Sequence, residues 1–361
     1  MTQIILYLFA KEIVSEQKMQ HGPLMPKLIK EDERNRTKLE ILKLLSVNGR
    51  MSFNDMAKHL HVTKQRAYHL FQETIEEYKL HFVPEINIDE LWKYEFLKLS
   101  SHKSTKKEMR DETLEKLQEL GFEEYIILFK FIGKEPSESE ILKATGNSHI
   151  PQFIAKLKGD YGLVMYCISR SYSQMNSFII GFTRSLEKYI VVSELNRVFT
   201  DFGFFPINNR IIDGFRISDT YQALLLGLNE DGRKGLKDIA MKFKKKPELV
   251  LYAMDRLKRT EILRRVTYYE EKPKNVVNAL IQIKILNNKR FFDNRNKWFL
   301  SMINSQQNKH IEYTYICDVS NPQGILIFAT FEDNEYIDRF TRNLESSLKG
   351  IETKYITLTK I

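Results

Sequence analysis

Residues 48–80 read NGRMSFNDMAKHLHVTKQRAYHLFQETIEEYKL, and residues 230–263 read EDGRKGLKDIAMKFKKKPELVLYAMDRLKRTEIL. Aligned on their GR turns, Gly49, Arg50, Asp55 and Ala57 fall on Gly232, Arg233, Asp238 and Ala240. Phe53 and Met56 fall on Leu236 and Ile239. A unit that recurs within one chain constrains architecture more than any single motif does. In the first copy, RTKLEILKLLSVNG places Leu39, Ile41, Leu42 and Leu45 at helical spacing, with Gly49 as the stop. Ser52 caps a second helix, FNDMAKHL, with Asp55 in the capping-box position. Thr63 caps a third, whose apolar face carries Ala67, Leu70, Phe71, Ile75 and Tyr78. KLHFVPEINI then alternates as a short β-wing. In the second copy, Ser218 or Asp219 caps SDTYQALLLGLNEDG, LKDIAMKF follows, Pro247 opens the third helix at N1, and ILRRVTYYEE is the wing. Each copy is predicted to be a winged helix-turn-helix.

After each copy the period changes. Residues 278–361 read strand, helix, strand, strand, helix, strand, with the first helix over 290–306 and a hairpin turn at NPQG, Asn321 to Gly324. Residues 121–208 give four strands and two helices in the same order. This βαββαβ order is ferredoxin-like. The expected fold class is α+β, two winged helix-turn-helix domains alternating with two ferredoxin-like domains. The expected boundaries are a leader over 1–34, the first winged helix over 35–88, a linker with a short strand and a helix over 89–120, the first ferredoxin-like domain over 121–208, the second winged helix over 209–272 and the second ferredoxin-like domain over 273–361.

Bulk composition narrows the partners. The 361 residues carry a formal charge of +9, and a basic balance favours an anionic partner such as nucleic acid. Cys167 and Cys317 are the two cysteines, far apart and each in an apolar run, which predicts buried free thiols in a reducing cytoplasm. The apolar run Ile4 to Ala10 lacks a basic flank and is too short to span a bilayer, so it reads as a docking strand or tail. No membrane partner and no cofactor are expected. Four of the eight histidines lie between His59 and His81, without cysteines or carboxylates at ligand spacing, so no metal site is expected.

With the apolar face of the first third helix assigned to the core, Lys64, Gln65, Tyr68, His69 and Gln72 point outward, with Arg66 at the rim. Gln reads adenine bidentately, while Lys and Arg contact guanine or phosphate, and the N-terminal part of such a helix enters the major groove. Double-stranded DNA is the predicted partner. The second copy turns Glu248, Tyr252 and Asp255 outward instead. Its positive charge lies around them, at Lys244, Lys245 and Lys246 before the helix, Lys258 and Arg259 after it, and Arg264 and Arg265 in the wing. These residues predict a phosphate clamp, which positions a protein without reading sequence. A competing reading is that this copy faces a protein.

The stretch LEILKLLSVNGRMSFNDMAKHLHVTKQRAYHLFQ and the turn LKGDYGLVMYCI resemble the Lrp/AsnC family of prokaryotic transcription regulators, here as a tandem duplication. The resemblance implies a sequence-specific, cytoplasmic transcription regulator that acts as a fused pseudo-dimer. It also implies homo-oligomers through the ferredoxin-like domains. It places amino-acid effectors near the turn at Gly159, Asp160 and Tyr161. Gly162 stands where the family usually has Asp, and the second unit keeps no such turn, so weak or absent amino-acid binding is expected. No GxSxG, P-loop or HExxH motif occurs, and the chain is expected not to be an enzyme. The alternative function is that of siroheme decarboxylases, which resemble the same plan and work in a pocket lined by His and Arg. The candidates for it, His149, Arg170, Arg184, Arg295 and His310, lie at unlike positions in the two halves.

Overall fold

In the computed structural model the described residues are 36–101, 122–203, 205, 207–270, 276–286, 311–320, 323–347 and 351–360. The expected leader, most of the linker and the helix expected over 290–306 lie outside them.

The first helical unit is α1 (Arg36–Val47), α2 (Phe53–Leu60) and α3 (Lys64–Tyr78). Its boundaries follow from side-chain caps. Ser52 accepts the Asp55 N–H and Thr63 accepts the Arg66 N–H, satisfying donors a helix start leaves orphaned. His61 and Lys79 end α2 and α3 in the left-handed region, at φ 53° and 47°. Strand β1 (Leu80–Ile86) leads into α4 (Ile88–Ser101). This corrects the linker reading, since a helix starts where a short strand was expected. Over 88–95, where burial is described, Ile88, Leu91, Trp92 and Glu95 are buried, at helical spacing.

The first ferredoxin-like unit is β2 (Glu123–Phe131), α5 (Glu138–Thr145), β3 (Pro151–Lys158), β4 (Leu163–Ser169), α6 (Tyr172–Ser185) and β5 (Ile190–Gly203). A short α7 (Asn209–Asp213) joins it to α8 (Asp219–Glu230), α9 (Leu236–Lys242), α10 (Pro247–Arg259) and β6 (Leu263–Glu270). Ser218, rather than Asp219, caps α8, and Pro247 begins α10. The chain ends with β7 (Val277–Ile285), β8 (Ile311–Ser320), β9 (Gln323–Phe331), α11 (Asn334–Ser347) and β10 (Ile351–Lys360).

Two pairings join the halves. The wings are not separate hairpins: β1 and β6 pair with each other, antiparallel, from Leu80↔Glu270 to Ile86↔Leu263. Val266 of β6 enters the core of the first helical unit beside Ile41, Met56 and Phe71. The other eight strands close into a barrel in the order β10-β3-β4-β2-β5-β8-β9-β7. Its seams are β5 against β8 and β10 against β3. Closure satisfies the backbone groups that an open sheet leaves on its edges. Among the described residues every barrel strand therefore has a strand neighbour on both sides.

Alternation along each strand divides the side chains between two cores. Tyr125, Ile127 and Phe129 face α5 and α6 and pack with Ile141 and Phe182. Ile126 and Leu128 face the barrel interior with Tyr166, Tyr315 and Phe328. Phe205, from the segment after β5, stacks into this interior with ring centroids 4.6–5.2 Å from Phe153, Tyr166, Tyr315 and Phe328. Ile207, Ile211 and Phe215 continue the same cluster into the core of α8–α10. The second helical unit is thus bonded to the barrel by apolar packing. Cys167 and Cys317 are both buried, as their apolar surroundings in the sequence led one to expect.

Candidate nucleic-acid interface

Helix α3 turns Ala67, Leu70, Phe71 and Thr74 inward. That leaves Lys64, Gln65, Arg66, Tyr68 and His69 exposed and Gln72 half-buried. Tyr68 is held edge-on against Phe53, with ring centroids 5.2 Å apart, and His69 packs on Tyr68. The Thr63 cap fixes the first turn, so the two cations and the amide at its start project from an ordered backbone. The sequence-predicted residues of the first unit therefore lie on one outward face.

In register, α10 sets Glu248 where α3 has Gln65, Leu249 for Arg66, Leu251 for Tyr68, Tyr252 for His69 and Asp255 for Gln72. Leu251 and Tyr252 are both 62% exposed. Its inward residues, Val250, Ala253, Met254 and Leu257, keep the apolar pattern of α3. The framework is preserved while the outward chemistry is replaced.

The cations expected to clamp phosphate in the second unit divide into two sets. Lys244, Lys246 and Lys258 are exposed. Lys245 lies 3.4 Å from Asp219, and Arg259 lies 2.9 Å from Asp255. Arg265 Nε donates to Glu85 at 2.6 Å, and Arg264 lies 3.5 Å from the same carboxylate. Glu85 is buried on the first wing strand, opposite Arg265 in the β1:β6 register. The wing arginines thus hold the two units together across the strand pair.

The two GR turns that opened the sequence argument meet in space. The Gly49 N–H donates to the Val266 carbonyl at 2.7 Å, and the Gly232 N–H donates to the Phe82 carbonyl at 2.8 Å. Arg50 donates to the Gly232 and Lys234 carbonyls at 2.5 and 2.9 Å. Arg233 donates reciprocally to the Gly49 and Met51 carbonyls. Its guanidinium lies 4.5 Å from the Phe71 ring centroid, a cation–π distance. Burial pulls the Arg50 pKa down, and burial with the Arg50 charge pulls Arg233 to about 10. A side chain at Gly49 or Gly232 has no room: a Cβ would stand 2.8 Å from the Val266 carbonyl oxygen or 2.5 Å from Val266 Cγ1. The repeated Gly-Arg dipeptide was the signal for this contact, and neither arginine was singled out as functional from the sequence.

The turn at Gly159, Asp160 and Tyr161 lies on the barrel seam. Asp160 pairs with Lys354 of the other half, and the hydrogen bond and charge of Lys354 hold its pKa low. The Tyr161 hydroxyl donates to Glu194 at 2.5 Å. At Gly162 a Cβ would fall 2.3 Å from Phe131 Cδ2, so a larger residue there would need the Phe131 ring to shift. Among the enzyme candidates, His149 meets Gln174 at 3.1 Å, and burial followed by the Arg170 charge lowers its pKa. Arg170 donates to buried Glu95 at 3.0 Å. Arg184 is exposed on α6. Arg295 and His310 lie outside the described residues. No group of three or more metal-binding side chains occurs among the described residues.

No protein-family model and no curated protein matches the chain. Solved structures match the fold. The siroheme decarboxylase NirDL matches 90% of this chain and 91% of its own, at 10% identity and a TM-score of 0.52. Its complex with an iron-uroporphyrin III analogue gives 9% identity, 91% and 92% coverage and 0.51. LrpC of B. subtilis covers 40% of this chain and 95% of its own, at 14% identity and 0.32. The whole-chain likeness supports the expected α+β fold. It also corrects the expectation that the chain is not an enzyme. The fold matched over the whole chain is one that an enzyme uses, so missing sequence motifs do not exclude catalysis.

Proposed function

We propose that the chain is a sequence-specific DNA-binding transcription regulator of Lrp/AsnC type, built as a fused pseudo-dimer. The observation that supports this most is the exposed row Lys64, Gln65, Arg66, Tyr68 and His69 on a capped helix. Side chains of these types hydrogen-bond base edges and phosphates. The α3 face reads bases, and the second unit adds charge through Lys244, Lys246 and Lys258. The Arg264 and Arg265 contribution to phosphate binding is reduced by their pairing with Glu85. The effector role of Gly159, Asp160 and Tyr161 is likewise reduced, because Lys354 and Glu194 already engage the turn.

Mobility shifts of the purified chain on genomic fragments test this reading. Binding should fall steeply between ~50 and ~200 mM salt, as expected when several phosphates are neutralised. Replacing Gln65 and His69 by Ala should relax sequence preference. A protein that ignores duplex DNA at low salt would sink the reading.

The whole-chain likeness to NirDL favours a second reading, catalysis on a tetrapyrrole. The inner wall of the barrel carries the carboxylates Glu124 and Glu194 bonded to tyrosines, a poor match to the polyanionic rim of a uroporphyrin-type molecule. Adding such a tetrapyrrole to the pure chain separates the two readings. A shifted absorption band would favour the enzyme, and an unshifted band with tight DNA binding would favour the regulator.

A further inference from the structure

The second helical unit leaves large apolar side chains in water. On α10, Leu249, Leu251 and Tyr252 are 49%, 62% and 62% exposed, and Met241 near the end of α9 is 69% exposed. The Lys245 N–H donates to the Ala240 carbonyl at 2.8 Å, which sets the end of α9 beside the start of α10. Single exposed apolar side chains are ordinary on a protein surface. Several gathered on one surface and rimmed by charge mark a contact site. In register, the first unit has Lys58, Arg66, Tyr68 and His69 at these four positions. The helical framework therefore does not require apolar residues there.

The charge around this surface is unbalanced. Lys245 pairs with Asp219 and Arg259 with Asp255. Glu248 lies in the first turn of α10, where the helix macrodipole favours a carboxylate. Arg256 and Lys258 lie in the last turn, which favours cations for the same reason. Lys244 and Lys246 precede the helix, at the end where that dipole disfavours a cation. All four of these cations are exposed, and none forms an ion pair among the described residues. The surface thus combines apolar side chains with a surplus of positive charge.

We propose that the α9–α10 surface docks an acidic amphipathic helix of a partner protein. Its apolar side chains cover Met241, Leu249, Leu251 and Tyr252, and its carboxylates meet Lys244, Lys246, Arg256 and Lys258. Apolar anchors spaced along one helix face are a recurring mode of peptide recognition. Other occupants fit half of this surface. A DNA backbone answers the lysines and leaves the leucines in water. A second copy of the chain covers the leucines and sets like charges together. An anionic bilayer takes up a helix by its continuous apolar face, and that face of α10 is already buried in its own core through Val250, Ala253, Met254 and Leu257. Lys244, Lys246 and Lys258 also add charge towards DNA, so a docked helix and a DNA backbone exclude each other there. The docking itself does not depend on the DNA-binding reading.

Fluorescence anisotropy of the full chain with a labelled synthetic peptide tests the proposal. The peptide has about 15 residues, long enough to hold a helix, with Leu at i, i+3, i+4 and i+7 and Glu at most other places. It should bind saturably in the micromolar range. The same peptide with Lys for Glu should not bind, nor should a scramble that breaks the Leu spacing. Leu251→Ser with Tyr252→Ser, and separately Lys244→Glu with Lys246→Glu, should each weaken binding about tenfold or more. All four residues are exposed, so the circular dichroism spectrum should be preserved. Lys143→Glu, exposed on α5, should leave binding unchanged. The proposal is overturned by no saturable binding, by equal binding of either control peptide, or by binding that survives both double variants. Binding to anionic phospholipid vesicles that Leu251→Ser with Tyr252→Ser abolishes would overturn it in favour of a membrane. A dimer in sedimentation that the same variant abolishes would overturn it in favour of a second copy. DNA binding is read separately by mobility shift, so its failure would leave this result standing.

Discussion

Helices α3 and α10 occupy the same place in their units and bury the same pattern of residues, yet they offer opposite chemistry to solvent. One presents Lys64, Gln65, Arg66, Tyr68 and His69; the other presents Glu248, Leu249, Leu251, Tyr252 and Asp255. The buried face is constrained by packing, where a lost methylene is felt. The outward face is constrained only by what it touches. The inward positions stay buried and uncharged although their residues differ, Ala67, Leu70, Phe71 and Thr74 against Val250, Ala253, Met254 and Leu257, while the outward positions change in charge and polarity, so the two units share a scaffold and differ in the surface they offer.

The largest expected effect breaks this comparison directly. Reversing charge on α3, with Lys64→Glu and Arg66→Glu together, should weaken DNA binding about a hundredfold, ~2.7 kcal/mol. Reversing Glu248 and Asp255 to Lys on α10 should change it by no more than about threefold in either direction, the size of exposed ion-pair effects. Mobility-shift titrations at fixed salt measure both. Equal losses from the two helices would mean that α10 reads bases as well.

A second change attacks what the units have in common. Gly232→Val drives a side chain into Val266 and the Phe82 carbonyl, and overpacking of this kind costs about 1–3 kcal/mol. Urea unfolding should show that loss, and Gly49→Val should show a similar one. A neutral result at either position would mean that the shared contact does not contribute to stability.

Smaller effects sharpen the division of labour. Replacing Lys244, Lys245 and Lys246 by Ala should lower affinity for all sequences alike, about threefold to tenfold, and flatten the salt slope by up to ~2.7. A changed base preference would instead make the second unit a reader. Smallest of all, Leu249→Arg with Tyr252→His restores two α3-type residues on α10 and should raise affinity only about twofold to threefold, ~0.5 kcal/mol. A large gain would show that these two positions alone set the difference.

Much of the fold was legible because it rests on local periods. The caps at Ser52 and Thr63, Pro247 at the start of α10 and the alternation of the barrel strands are readable within a few residues of themselves. What was not legible was non-local. The partner of a wing strand depends on which edge it meets, and β1 finds β6 about half a chain away. That pairing places Arg264 and Arg265 beside Glu85, a contact with no sign in the sequence. The linker was expected to hold a short strand, and Trp92, Tyr94 and Phe96 are residue types that favour strands locally. Helical burial of Ile88, Leu91, Trp92 and Glu95 against the barrel core and Arg170 overrode that local preference. Of the candidate site, the α3 row was readable from helical spacing. The reciprocal bonds of Arg50 and Arg233 to the carbonyls of each other's turn were visible only as a repeated dipeptide.

The barrel seams also bear on how the chain is made. When the ribosome has released the first half, β1, β3 and β5 each still lack a partner that lies further along the chain. At ~5–20 residues per second, those edges wait on the order of ten seconds or more for β6, β8 and β10. An unpaired strand edge is a template for any similar strand nearby, and on a polysome the nearest one belongs to another nascent copy of the same half. The fused chain gains a fixed pairing of unlike halves, and it passes through an interval in which a chaperone that covers strand edges would decide its yield.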